Sequence, residues 1–136
     1  MPAFFRILEM DHIRHTFGKA ERLCSGKEIG HLFETGHSTL VYPLRIVWQE
    51  TGAVLPYPAQ AAFSVSKKNF RNAVDRNLLK RRMKEAYRLN KTLFYTGLGE
   101  KKVIAMFIYV SREILPYDEI EKSFRKALKK VILQSR

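Results

Sequence analysis

The sequence of 136 residues contains a single cysteine, Cys24, so no disulfide can close within it, and a reducing cytoplasm is the compartment it suits. Acids are scarce: 13 Asp and Glu stand against 25 Lys and Arg, for a formal net charge of +12. No apolar run approaches the roughly 20 residues that cross a bilayer, so no membrane association is read. Internal repeats and low-complexity tracts are also missing. Metal-ligand spacing is poor. His12 and His15 stand three apart, but no third donor follows at a recognisable interval, which favours a solvated arm. Asp118, Glu119 and Glu121 cluster where a helix begins, and acids there stabilise the helix dipole. These absences argue against a disulfide scaffold, a membrane protein and a protein nuclease that holds its own cations with converging carboxylates.

The positive signal is concentrated. Between Lys67 and Lys91 lie ten Lys or Arg and only two acids, Asp75 and Glu85, a local net charge of +8, two thirds of the chain's +12. At about 100° per residue, Leu78, Leu79, Met83, Ala86 and Leu89 share one arc of a helix. Arg76, Asn77, Lys80, Arg81, Lys84 and Arg88 share the other, and Arg82 lies at the edge of the apolar arc as a snorkelling side chain. A merely solvated helix would interleave both signs for i,i+4 pairing, whereas here only Glu85 is available on the cationic face, placed to fix a neighbouring cation. A surface so one-sided is suited to a polyanion, and nucleic acid is the commonest one able to cover a whole helix face.

The remaining elements fall in order around this segment. Ser25 and Glu28 form a capping box for a short helix through Thr35, with Ile29, Leu32 and Phe33 at helical spacing and Gly36 as its stop. Ser38 to Glu50 is β-prone and broken by Pro43, so it predicts a short strand and then a longer one from Leu44. After a loop through Pro56 and Pro58, alternation over Gln60 to Ser66 predicts a half-buried strand leading into the basic helix. Val103 to Val110 predicts a last strand, and Ile120, Phe124, Ala127, Leu128 and Val131 mark the buried stripe of a closing helix. The order α-β-β-β-α-β-α predicts an α+β two-layer sandwich with a sheet of about four strands. Residues 1–16 read as an N-terminal arm, because Glu9 and Asp11 interrupt their apolar character and no signal-peptide cleavage pattern follows. Residues 17–136 read as a single nucleic-acid-binding domain, a length sufficient for one core.

The segment SVSKKNFRNAVDRNLLKRRMKEAYR resembles the signature of the bacterial ribonuclease P protein component, in which a strand ending in Ser-Lys-Lys is followed by an Arg-Asn…Lys-Arg helix. Arg22-Leu23 before a helix ending at Phe33 and Gly36, Pro43-Leu44-Arg45 opening a strand, and the closing strand and helix extend the resemblance from Phe17 to about Leu133. It implies a mixed four-stranded sheet like a ribosomal-protein domain, with a left-handed βαβ crossover that breaks the usual preference. It also implies a protein subunit that acts with ribonuclease P RNA to remove the 5′ leader of precursor tRNA. In that family the catalytic RNA subunit carries the chemistry, assisted by Mg²⁺ held mainly by the RNA, so no protein residue is expected to be catalytic and no further protein partner is required.

Carried over residue by residue, the resemblance implies that Arg71, Arg76, Asn77, Lys80, Arg81, Lys84 and Arg88 bind the catalytic RNA. It implies a leader-binding cleft between the first helix and the sheet, lined by Phe33, Val47, Phe63, Lys67 and Lys68, although Phe33 and Phe63 fit ordinary core packing equally well. Two positions depart from the pattern. Leu78 stands where Arg is common, and Asn69-Phe70-Arg71 makes a bend where a glycine is usual. The alternative is a ribosomal or assembly RNA-binding protein of the same fold with no processing role. A DNA-binding regulator fits less well, since the basic helix follows a strand and lacks the preceding helix and short turn of a helix-turn-helix.

Overall fold

Alternating strands bury one face each and helices bury one stripe, so the elements settle into layers. The computed structural model describes residues 17–23, 26–52, 55 and 57–135; the N-terminal arm, with His12 and His15, and the proposed cap Ser25 lie outside them. A single 3-10 turn at Lys19–Glu21 precedes helix α1 (Gly26–Thr35), and then come β1 (His37–Val41), β2 (Leu44–Glu50) and β3 (Ala59–Val65). The basic segment forms α2 (Ala73–Leu98), followed by β4 (Val103–Tyr109) and α3 (Tyr117–Gln134). The sheet order is β1-β2-β4-β3. β1 with β2 and β2 with β4 pair antiparallel, whereas β3 and β4 are parallel and are connected through α2. The sequence-derived element order and the mixed sheet are both found.

Register decides what each strand residue faces. Ile46, Phe107 and Phe63 form one cross-strand row, and Val47, Met106 and Ala62 form the next. The first row points into the main core under α2 and α3, with Trp48, Tyr109, Leu79, Met83, Phe94, Phe124 and Leu128. Its centre is aromatic: Phe63 stacks on Phe107 at 5.6 Å between ring centroids and meets Tyr87 and Phe17 edge-on. The second row faces α1, where Leu32 and Leu23 close over Val47 and Ile104. The segment before α1 wraps the β3 edge, with the Leu23 amide donating to the Ala61 carbonyl at 2.9 Å.

Three residues of the anticipated apolar arcs are displaced, and one of them, Leu78 on α2, is half-buried at the helix flank beside Tyr117. Leu89 is 45 % exposed on α2, and Tyr87, fully buried, takes the inward position instead. Phe33, grouped by spacing with Ile29 and Leu32, is 52 % exposed while Leu32 is fully buried, because a ten-residue helix lying on a sheet covers only the stripe beneath it. The helix stripe of α3 is buried throughout, as its periodicity requires. α2 ends at Gly99, whose φ of 65° lies in the region glycine alone enters without cost.

Candidate nucleic-acid interface

The path from β3 into α2 is built by backbone hydrogen bonding. The Phe70 amide donates to the Ser66 carbonyl at 3.1 Å, and the Lys68 amide donates to Ser66 Oγ at 3.1 Å. Phe70 turns inward against Tyr109, with ring centroids 5.9 Å apart. No non-glycine residue among those described has a positive φ, so this bend needs no glycine. Lys67 and Lys68 are left exposed at the strand end, and Arg71 is exposed just before the helix.

Along α2, Asn77, Arg81 and Lys84 are exposed and Lys80 and Arg88 half-buried, while Leu79, Met83, Ala86 and Tyr87 hold the inner face. The cationic stripe is thus set by the apolar one. Arg76 also serves the backbone, because its Nη1 donates to the carbonyls of Phe70 and Arg71 at 2.8 and 2.9 Å, fastening the entry loop to the first turn. Asn72 at the N-cap makes no side-chain capping bond, so the Arg76 guanidinium is what ties this end together. Arg82 Nη1 donates to the Leu115 carbonyl at 2.6 Å and holds the loop before α3. Glu85 receives Arg88, with Nε at 3.1 Å, and this bond holds its carboxyl below the ordinary value against the opposing effect of burial.

Lys91 does not belong to this face. It is 1 % exposed, and its Nζ donates to both Glu21 carboxylate oxygens at 3.0 and 2.8 Å. Tyr95 adds a hydroxyl donor to Glu21 at 2.6 Å, and burial together with the nearby negative charge pushes the Tyr95 phenol far up. The signal was available in the spacing: Lys91 falls between Tyr87, Phe94 and Tyr95 on the buried stripe, and a lysine there needs a buried acid.

The α1 side of the sheet is only partly covered. Val47 is buried beneath α1, whereas Ala62, Met106 and Ile108 are half-buried and Arg45 and Leu40 exposed. Ile108 is flanked by Ser64 on β3 and by Arg45 on β2, with Leu40 next on β1. This strip leads toward Lys67 and Lys68, and Phe33 is exposed on α1. Phe63 is absent from it, because it belongs to the opposite row and packs in the aromatic core. The structure therefore brings Val47 and the sheet together with α1, and it removes Phe63 from the lining that the resemblance implied. Met106 and Ile108 were not singled out by the sequence reading; their signal was β4, apolar at every position and so carrying apolar side chains to the α1 side as well, whereas Arg45 on β2 and Leu40 on β1 gave no such signal.

The comparisons agree with this architecture. The Ribonuclease P family model matches residues 17–132. A ribonuclease P protein component from Porphyromonas gingivalis is 40 % identical over 117 residues, covering 83 % of this chain and 85 % of the relative. One from Chlorobium phaeobacteroides is 42 % identical over 109 residues, covering 78 % and 74 %. Among solved structures, the Staphylococcus aureus RNase P protein superposes with a TM-score of 0.66 at 23 % identity, covering 83 % of this chain and 96 % of that one. The RNase P protein from Thermotoga maritima gives 0.65 at 21 % identity, covering 81 % and 96 %. With its fold shared by those structures and its sequence matched over most of its length, the chain belongs to the ribonuclease P protein component family.

Proposed function

We propose that this chain is the RNA-binding subunit of a cytoplasmic ribonuclease P and assists Mg²⁺-dependent endonucleolytic removal of the 5′ leader from precursor tRNA. The observation that carries this reading is the one-signed outer face of α2: Asn77, Lys80, Arg81 and Lys84 project from a helix whose opposite face is locked in the core. Lys80, Arg81, Lys84 and Arg71 neutralise phosphates of the catalytic RNA, Asn77 adds an uncharged amide donor, and Arg88 contributes beside Glu85. Arg76 acts chiefly by holding the loop that carries Arg71. The single-stranded leader lies along the open strip beside α1, where Phe33 offers a ring for stacking and Lys67 and Lys68 follow the backbone, a mode that tolerates sequence variation.

Among the described residues, no group of three or more His, Cys, Asp or Glu is placed to hold a metal ion. We assign the chemical step, with its Mg²⁺, to the RNA subunit, as the family resemblance implies. The protein's share is to lower repulsion among crowded phosphates and to hold the leader. No helix among the described residues is long and apolar enough to cross a membrane.

Reconstitution tests the reading. Added to a bacterial ribonuclease P RNA at low Mg²⁺, the protein restores leader removal, whereas RNA-free protein leaves precursor tRNA intact. Cleavage by the protein alone would overturn the subunit role. Failure to stimulate the RNA, together with cosedimentation with ribosomal subunits at physiological salt, would favour the ribosomal alternative.

A further inference from the structure

Leu78, Arg81, Arg82 and Glu85 stand at i, i+3, i+4 and i+7 on α2, so they form one stripe, and Tyr117 at the start of α3 faces it across a slot of about 300 Å³. The slot is a departure from the rest of the cationic face. Its walls are almost wholly apolar, supplied by Leu78, the Tyr117 ring and the flat stems of the arginines, while charge sits at the rim. The volume lies at the small end of the roughly 300–1,000 Å³ typical of ligand sites, enough for one planar ring system. Two contacts keep the walls in place: Arg82 is pinned to the Leu115 carbonyl, and Glu85 is paired with Arg88. The Tyr117 hydroxyl is buried and has no hydrogen-bond partner, a condition that native interiors usually avoid.

We propose that this slot receives one unpaired nucleobase of the catalytic RNA, an inference that rests on the RNA-binding reading of α2. The surrounding charge selects the polymer: Lys80, Arg81 and Lys84 attract phosphate, and RNA is the polyanion whose unpaired bases can be splayed out of the chain. Within the slot, the Tyr117 ring provides the stacking surface, the Arg81 guanidinium at the rim meets the adjoining phosphate, and Leu78 excludes water from the base. Glu85, held ionised by Arg88, accepts from an exocyclic amine, as carboxylates do from base edges. A hydrophobic residue on an otherwise cationic stripe thus exchanges a phosphate contact for a base contact and adds specificity for a structured RNA over other polyanions.

The experiment is chemical footprinting of a bacterial ribonuclease P RNA with the full chain, reading base edges with base-specific reagents and the backbone with hydroxyl radicals. Wild-type protein protects one unpaired base within the backbone footprint of α2. Leu78→Trp fills the slot; it abolishes that base protection, retains the backbone footprint and weakens binding by about tenfold. Leu78→Arg is the second variant, at a half-buried helix position that accepts a long side chain, with folding checked by circular dichroism. It adds a cation while intruding on the slot, so base protection is lost even if overall affinity rises. Base reactivities identical for wild type and both variants, over a retained backbone footprint, would overturn the slot alone. Absence of any backbone footprint would overturn the RNA-anchoring reading and the slot with it.

Discussion

The two faces of the sheet start from the same strands and meet opposite fates. Under α2 and α3 the row Ile46, Phe107 and Phe63 is enclosed by aromatic rings, whereas the adjacent row, Val47, Met106 and Ala62, is covered by the short α1 and left open at one end. The difference is one of covering length: α2 and α3 have 26 and 18 residues, α1 only 10. A face closed by long helices fixes the fold, and a face left partly open has surface to spare for a ligand.

Truncating equivalent positions on the two sides should expose the widest gap between them. Phe107→Ala, fully buried among Phe63, Tyr87 and Phe124, should cost about 3–5 kcal/mol of unfolding free energy in urea denaturation. Met106→Ala, its half-buried neighbour on β4, should cost less than about half of that. Equal losses would mean that α1 closes its face as tightly as α2 and α3 close theirs.

The closed side is also sealed at the β3 edge. Phe17 packs on Phe63 and Tyr87, and Glu21 joins Lys91 and Tyr95. Lys91→Met leaves the Glu21 carboxylate buried without its cation, which should cost about 3–5 kcal/mol. Adding Glu21→Leu should recover most of it, because an apolar pair tolerates burial that a lone charge does not. A double variant no more stable than Lys91→Met alone would show that Tyr95 and Glu21 carry the anchor without the lysine.

Most of this division is legible in the chain itself. The alternation in β3 and the stripe of α3 placed those elements, because burial of one face imposes periods of 2 and 3.6 on the sequence. What periodicity did not reveal is which of two faces an alternating residue occupies. Phe63 and Phe33 are both aromatic and both adjacent to the basic segment or its cleft, yet register sends Phe63 inward and helix length leaves Phe33 out. Charge counting had a similar blind spot. Lys91 and Arg76 contribute to the same run of cations as Lys80 and Lys84, but one neutralises a buried acid and the other ties down backbone carbonyls, partners that are distant or invisible in the sequence. The slot at Leu78 depends on Tyr117, whose position beside α2 follows from the packing of α3.

The outer sides of the two covering helices differ as well. α3 is cationic too, with Lys122, Arg125, Lys126, Lys129 and Lys130, but it begins with Asp118 and Glu119 and pairs Arg125 with Glu121 at 2.9 Å. Lys80→Ala with Lys84→Ala should weaken binding to ribonuclease P RNA by roughly 1–3 kcal/mol per lost contact and lower the salt slope by about 1 per lysine. Lys126→Ala with Lys129→Ala should change both by much less. Equal effects in a salt titration would assign the contact to diffuse charge. On the open face, Phe33→Ala should leave unfolding stability nearly unchanged, since the ring is half in water, and should reduce precursor tRNA affinity of the holoenzyme by about 1–3 kcal/mol if a base stacks there. A stability loss as large as that of Phe107→Ala would return Phe33 to the core.

A subtler change tests whether the open strip continues past the end of β3. Lys67 and Lys68 are exposed and have no core role, and the Ser66 hydroxyl fixes the turn that presents them. Each contact to a single-stranded phosphate is worth on the order of 1 kcal/mol. Lys67→Ala with Lys68→Ala should therefore lower holoenzyme affinity for precursor tRNA several-fold and leave mature tRNA binding almost untouched, because only the precursor has a leader to hold. The quantity to measure is the ratio of the two dissociation constants at fixed salt, which cancels losses common to both RNAs. If both affinities fall by one factor, these lysines serve the anchoring face of α2 or the tRNA body, and the leader strip ends at Ser64 and Ile108.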